Sequence, residues 1–343
     1  MTRLRLCSLQ CAAALLLFVA ACKDDPTSSD DFTVSLSVSN FKRLEAGHGH
    51  YELWVSFPED RASKTLAKPG HGDEAYISFG KFNLSADHTQ VLSLSGQAMS
   101  FMPHDEVDIN LAVDALVTIE LEGDQDEEPG ARLLAGEFAG SDREASANLS
   151  ADSEDVFDYD YRAATASYVL AAPTTNDSAD FNRGIWWIMR SSAIIAGISK
   201  LPALADTARW RYEGWVIDRA NAAAYSTGKF LAAANADSDR GGATAGPDGP
   251  DQNADGLGDG YAFPGQDFVR ASNAVPASPS LDNGNFEARI TLEPHPDNAV
   301  APFFLAVFVD EIIGPNLPND RASQDMNNRA GVSFPTAKVT ITR

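Results

Sequence analysis

The stretch YELWV at Tyr51–Val55 returns 161 residues later as YEGWV at Tyr212–Val216. A short apolar and aromatic phrase of this kind is a strand signal, and its recurrence points to one β-unit used twice. Two further matches keep the same order. Leu44 precedes the first phrase and Gly80-Lys81-Phe82 follows it; Leu204 precedes the second and Gly228-Lys229-Phe230 follows. Next, Thr118-Ile119-Glu120 is followed by Asp124 and Pro129, four and nine residues past the glutamate. Thr291-Leu292-Glu293 is followed by Asp297 and Pro302 at the same offsets. An apolar segment comes after each proline, LLAGEF in one place and FFLAVF in the other.

Strand patterns dominate the remainder. FTVSLSVS sets Val34, Leu36 and Val38 on one face, and ALVTIELE sets Ala115, Val117, Ile119 and Leu121 inward with Thr118 and Glu120 outward. RWRYEGWVID, NFEARITLE, FFLAVFV and AKVTIT read as strands, and long amphipathic helices are missing from the pattern. The expected class is mainly β, with two tandem antiparallel β-sandwich domains from an internal duplication. The first is expected at 32–150. An acidic linker and the second sandwich fill 151–343, with an acidic Gly-rich insertion at 235–260. Gly140 to Asp160, rich in Asp, Glu and Ser, reads as linker or long loop. FNRGIWWIM has no counterpart in the first copy and reads as an added strand or docking segment. Its Trp186 and Trp187 would lie on opposite faces, leaving one of them exposed.

The repeated motifs, above all ALVTIELEGDQDEEPGARLLAGEF, resemble the extracytoplasmic domain of anti-sigma-K factors. There a Tyr-x-Leu-Trp strand is followed by a Val-Thr-Val-Glu-Pro strand, a Gly-rich turn, a proline and a last apolar strand. The resemblance covers most of 44–138 and, more loosely, 204–308, and it implies a compact β-sandwich. The helical domain that would hold a sigma factor has no counterpart in the chain, so the resemblance does not carry regulation with it.

Arg3 and Arg5 followed by an apolar run from Cys11 to Ala21 have the layout of a secretory signal, expected at 1–21. The sequence VAAC, Val19 to Cys22, resembles the lipobox of bacterial lipoproteins, which implies lipidation of Cys22. Cys7 and Cys11 would leave with the signal, so Cys22 would have no disulfide partner. KDDPTSSDD then reads as a flexible tether within 22–31. Lys23-Asp24-Asp25 also resembles an acidic surface-export signal. The expected location is the bacterial outer membrane, with the lipid-anchored body facing the periplasm or the cell surface.

The formal charge is −23, and loss of Arg3 and Arg5 takes it to −25. Such a surface repels phosphate backbones and excludes nucleic acid as an expected partner. It suits divalent cations and basic partners. DQNADGLGD places oxygen ligands at Asp251, Asn253, Asp255 and Asp259 around a tight turn at Gly256, which matches the needs of Ca²⁺. This loop resembles thrombospondin type 3 and dockerin-like calcium repeats, and Asp237 and Asp239 could add ligands. GHGH at Gly47 to His50, with His71, offers imidazoles to a transition metal, or simply an exposed polar turn. Trp54 and Trp215 fit core filling better than a ligand platform. Glu120 and Glu293 fit solvated strand-end charge better than a catalytic pair. Gly-x-Ser-x-Gly and His-Glu-x-x-His are missing, and the Gly-Lys pairs lack the context of a phosphate loop. The expectation is a non-catalytic envelope protein with a binding or structural role and a protein or glycan ligand. The alternatives are an accessory of extracytoplasmic sensing or anti-sigma regulation, and an envelope polymer hydrolase.

Overall fold

The structure, a computed structural model, describes residues 32–343 except 46, 59–67, 70–73, 125–127, 247–260, 273–278, 297–298 and 316–321. Its first half contributes β1 (Thr33–Ser39), β2 (His50–Pro58), β3 (Lys68–Pro69), β4 (Glu74–Leu84), β5 (Val91–Ser93), β6 (Asp114–Glu120), β7 (Ala131–Gly140) and β8 (Glu144–Leu149). The second half contributes β9 (Thr165–Leu170), β10 (Gly184–Trp186), β11 (Ile188–Arg190), β12 (Ile194–Ala196), β13 (Ile198–Ser199), β14 (Trp210–Asp218) and β15 (Ala223–Phe230). After these come β16 (Gly265–Asp267), β17 (Phe286–Pro294), β18 (Ala306–Asp310), β19 (Gln324–Asn328) and β20 (Thr336–Thr342). The protein is mainly β, built on two large antiparallel sheets that match the expected pair of sandwich-like units.

Strand order makes the duplication explicit. One sheet contains the run β4-β2-β6-β7, and the other contains β15-β14-β17-β18. Tyr51 stands between Phe82 and Ile119, and Tyr212 between Phe230 and Leu292. Two irregularities are copied as well. The register shifts next to Trp54 and Trp215, and again between Val117 and Thr118 and between Ile290 and Thr291. The glycines of the two Gly-Lys-Phe segments sit at the first shift with positive φ, +130° at Gly80 and +91° at Gly228, a conformation glycine adopts without a Cβ penalty.

The one change inside the repeated phrase has a packing cause. Leu53 fills the first core. At the matching Gly214, a Cβ would come within 2.4 Å of the Trp187 indole nitrogen and 2.2 Å of Thr227 Oγ1. Trp187 comes from the segment that the first copy lacks. Contrary to the expectation of one exposed ring, Trp186 and Trp187 are both fully buried, because Trp187 packs into the main core while Trp186 packs with Val169, Ala171 and Ile188 in a second cluster.

Two boundaries differ from the sequence reading. The closing strand β20, expected within the second sandwich, lies in the first sheet between β1 and β8. The acidic stretch read as a linker contains β8 and then folds over the first sheet. Its Val156 packs on the cluster of Trp54, Tyr76, Leu116 and Ala135. Phe157 and Tyr161 carry on into an aromatic group with Trp210 and Phe334, with ring centroids 5.3 to 5.6 Å apart. The Tyr161 and Tyr212 hydroxyls meet at 3.1 Å, and the Trp210 indole ties the two copies together by donating to the Arg132 carbonyl at 3.0 Å.

Because β20 joins two otherwise separate edges, its core residues should hold both. Ile341 is fully buried, so Ile341→Ala should cost about 2 to 5 kcal/mol in denaturant unfolding. Amide exchange should accelerate in β1 and β8 before it does so in β14 or β17.

Candidate functional site

The residues repeated in both copies converge on one polar assembly behind each central strand. In the first copy the Trp54 indole donates to Thr118 Oγ1 at 2.9 Å. The Thr118 hydroxyl donates to Glu120, which also accepts the Gly130 amide at 2.9 Å. In the second copy Trp215 donates to Thr291 at 2.9 Å, Thr291 donates to Glu293, and Glu293 accepts the Phe303 amide at 2.9 Å. Both glutamates take their amide from the residue ten positions on, which explains the fixed offset to the proline seen in the sequence.

A second pair of carboxylates stands beside the first. Glu52 accepts from Ser78 and faces Lys81 at 3.8 Å; Glu213 accepts from Ser226 and faces Lys229 at 3.6 Å. These pairs join the glutamate of Tyr-Glu-x-Trp to the lysine of Gly-Lys-Phe. They were legible in principle, since antiparallel pairing of the two motifs sets Glu52 opposite Lys81 and Glu213 opposite Lys229.

Glu120 and Glu293 are not solvated strand-end charges: they are 2% and 0% exposed. The outward face of β6 is covered, so its polar residues pair within the protein instead of with water. The two tryptophans belong to the interior, as core filling requires. Burial pushes the Glu120 carboxyl up to about 7 against the pull of the Thr118 and Gly130 hydrogen bonds, and the charges of Glu52 and Asp124 push the same way.

The acidic insertion presents a different arrangement. Asp237 is buried, and its carboxylate accepts the amides of Arg240 at 2.5 Å and Gly265 at 2.8 Å. Burial and the neighbouring Asp239 hold this carboxyl above the usual range. Both aspartates press on the bare Cα of Gly228, where a Cβ would meet Asp239 Oδ1 at 2.4 Å and Asp237 Cγ at 2.6 Å. Nearby, Asp267 accepts the Thr174 amide at 2.9 Å and the Trp186 indole at 2.7 Å, and burial pushes it up to about 6. Sequence reasoning missed Asp267, which belongs to no repeated phrase. Asp251, Asn253, Asp255 and Asp259 lie outside the described residues, and so does Cys22. Among the described residues no group of three or more His, Cys, Asp or Glu is arranged to hold a metal.

Of the GHGH turn, His48 is half-buried and His50 is buried at the start of β2, while His71 falls outside the described residues. Burial drives the His50 imidazole down to about 4, helped by the Lys81 charge, so it is neutral near pH 7. Among the described residues no helix is long and apolar enough to cross a membrane. No family model, curated protein or solved structure matches the chain.

The raised Glu120 pKa sets the sign of a pH effect. The folded value of about 7 exceeds the ordinary 4.5, so the stability linked to this proton is complete below pH 4.5 and is lost as pH rises through about 7. That interval corresponds to about 3 kcal/mol. Glu120→Gln keeps an acceptor for Thr118 and Gly130 and removes the titration. Urea unfolding at a series of pH values should therefore show the variant gaining on the wild type by about that amount between pH 4.5 and pH 7.

Proposed function

We propose that the protein is a lipid-anchored, non-catalytic component of the bacterial outer membrane with a binding or structural role. The observation that carries this reading is the fate of the repeated side chains. Trp54, Thr118 and Glu120, like Trp215, Thr291 and Glu293, engage one another inside the sheets. A duplication that preserves such contacts preserves a scaffold, and the resemblance to anti-sigma-K outer domains likewise bears on fold alone. The anchor is Cys22, whose acyl chains would supply about 0.8 kcal/mol per buried CH₂. Cys22→Ser should abolish incorporation of radiolabelled palmitate and release the chain from the membrane fraction; retention of the variant there would count against the anchor.

In the same reading Asp251, Asn253, Asp255 and Asp259 hold a structural Ca²⁺, with Asp237 and Asp239 at the base of the loop. What supports this is the alternate spacing of oxygen ligands together with the raised pKa of Asp237, a carboxyl held up first by burial and then by the charge of Asp239. A cation would relieve that repulsion. Binding to the folded loop stabilises it by RT ln(1 + [L]/Kd), about 2.7 kcal/mol at a hundredfold excess over Kd. Wild-type protein should melt higher in millimolar calcium than in chelator. Asp255→Ala should erase the difference and Asp124→Ala should leave it intact. Equal melting temperatures for the wild type in calcium and in chelator would remove the calcium claim.

A further inference from the structure

The two copies part company where their central strands begin. In the second copy Trp210 and Arg211 open the strand, at the register positions held by Gly49 and His50 in the first. Trp210 is docked on the Arg132 carbonyl. The Arg211 guanidinium donates to the carbonyls of Ala208, Trp210 and Asp206 at 2.7 to 2.8 Å. That strand start is filled by its own side chains.

In the first copy the same place is a cleft of about 480 Å³, within the range of small-molecule sites. Gly47 and Gly49 form its lip with φ of +89° and +81°. At Gly49 a Cβ would collide with the Glu120 carbonyl at 1.8 Å, so only glycine lets the chain pass this close to β6. His50 lines the cleft, and its Nε2 is buried without a hydrogen-bond partner. A buried polar atom left unmatched is costly, and a ligand that reaches it removes the cost.

The charged lining defines what fits. Lys81 is engaged with Glu52. Arg43 at the rim has no side-chain partner among the described residues, and the exposed carboxylates of Glu45 and Glu122 line the same cleft; Asp124 lines it too, is already engaged and acts on His50. A simple anion would meet those carboxylates. A simple cation would leave the guanidinium unmatched, and a neutral polyol would pair none of the charges. A species carrying both signs answers each of them. Its carboxylate meets the planar fork of Arg43, and its ammonium meets Glu45 and Glu122. We infer that this cleft is a binding site for a small zwitterion of the free α-amino-acid class, recognised by Arg43, Glu122 and His50.

Every residue of this site belongs to the first copy, so it stands or falls independently of the lipid anchor and the calcium loop. The test is calorimetric titration of the full chain in detergent with L-alanine, L-glutamine and L-phenylalanine. Acetate, methylammonium, glucose and Zn²⁺ serve as comparison probes. At least one amino acid should bind, more tightly than any comparison probe, and should shift the His50 Nε2 resonance. Arg43→Ala and Glu122→Gln change rim side chains and should each weaken binding about tenfold or more, equivalent to about 1.4 kcal/mol. Arg211→Ala, at the filled position, should leave binding unchanged. The proposal is overturned if none of the amino acids binds, if a comparison probe binds as well as they do, or if Arg43→Ala binds like the wild type.

Discussion

Thr118 accepts a hydrogen bond from the Trp54 indole and donates one to Glu120, and Thr291 does the same between Trp215 and Glu293. Each relay lies behind a central strand, where an unpaired hydroxyl or carboxyl would carry a large desolvation cost. The relay therefore works only in one register. Sliding β6 by one residue against β2 would turn Thr118 and Glu120 into the apolar core and bring Val117 and Ile119 out among polar partners. β2 and β6 pair without a shift, as do β14 and β17, so each threonine lies diagonally across from its tryptophan on the same face, and the register shifts fall at the outer neighbours of these strands in both copies.

This explains why the strands were legible in the sequence while their surroundings were not. Period-two patterning located β1 and β6, and repeated phrases and short apolar runs located β2, β14, β17, β18 and β20, because such patterns are a property of the strand itself. The same patterning placed Thr118 and Glu120 in solvent, on the rule that polar residues face water. That rule fails when a sheet is covered on both sides. Here Val156, from a stretch whose acidic composition suggested a linker, lies over Trp54 and Tyr76, while the Arg132 guanidinium sits 5.2 Å from the Tyr76 ring centroid. Composition reports the average character of a segment. Packing is decided by its few large side chains, and Val156, Phe157 and Tyr159 were outnumbered in the count.

Long-range assignments were lost for a related reason. AKVTIT reads as a strand with equal right in either sheet, and nothing in it names β1 and β8 as neighbours. Its placement means that the first sheet is completed by nearly the last residues of the chain. Gly214 shows the opposite case, a single letter that does carry tertiary information. Set beside Leu53, it marks the space that a large side chain from elsewhere must occupy, and Trp187 is that side chain.

Duplication gives two equivalent strand starts, and only one of them is needed to join the copies. Trp210 makes that join, with its indole hydrogen-bonded to Arg132 of β7 and its ring 5.6 Å from Phe157. The equivalent position in the first copy has no such duty, and glycine there brings the backbone up against β6. Any side chain at that point would collide with the Glu120 carbonyl, so the strand start beside His50 carries none. The internal relays are held in common while the strand starts differ, so the part of the molecule free to acquire a ligand is the part that the scaffold does not use. The proposed zwitterion cleft accordingly sits at a strand start of the first copy, where the internal relay makes no demand.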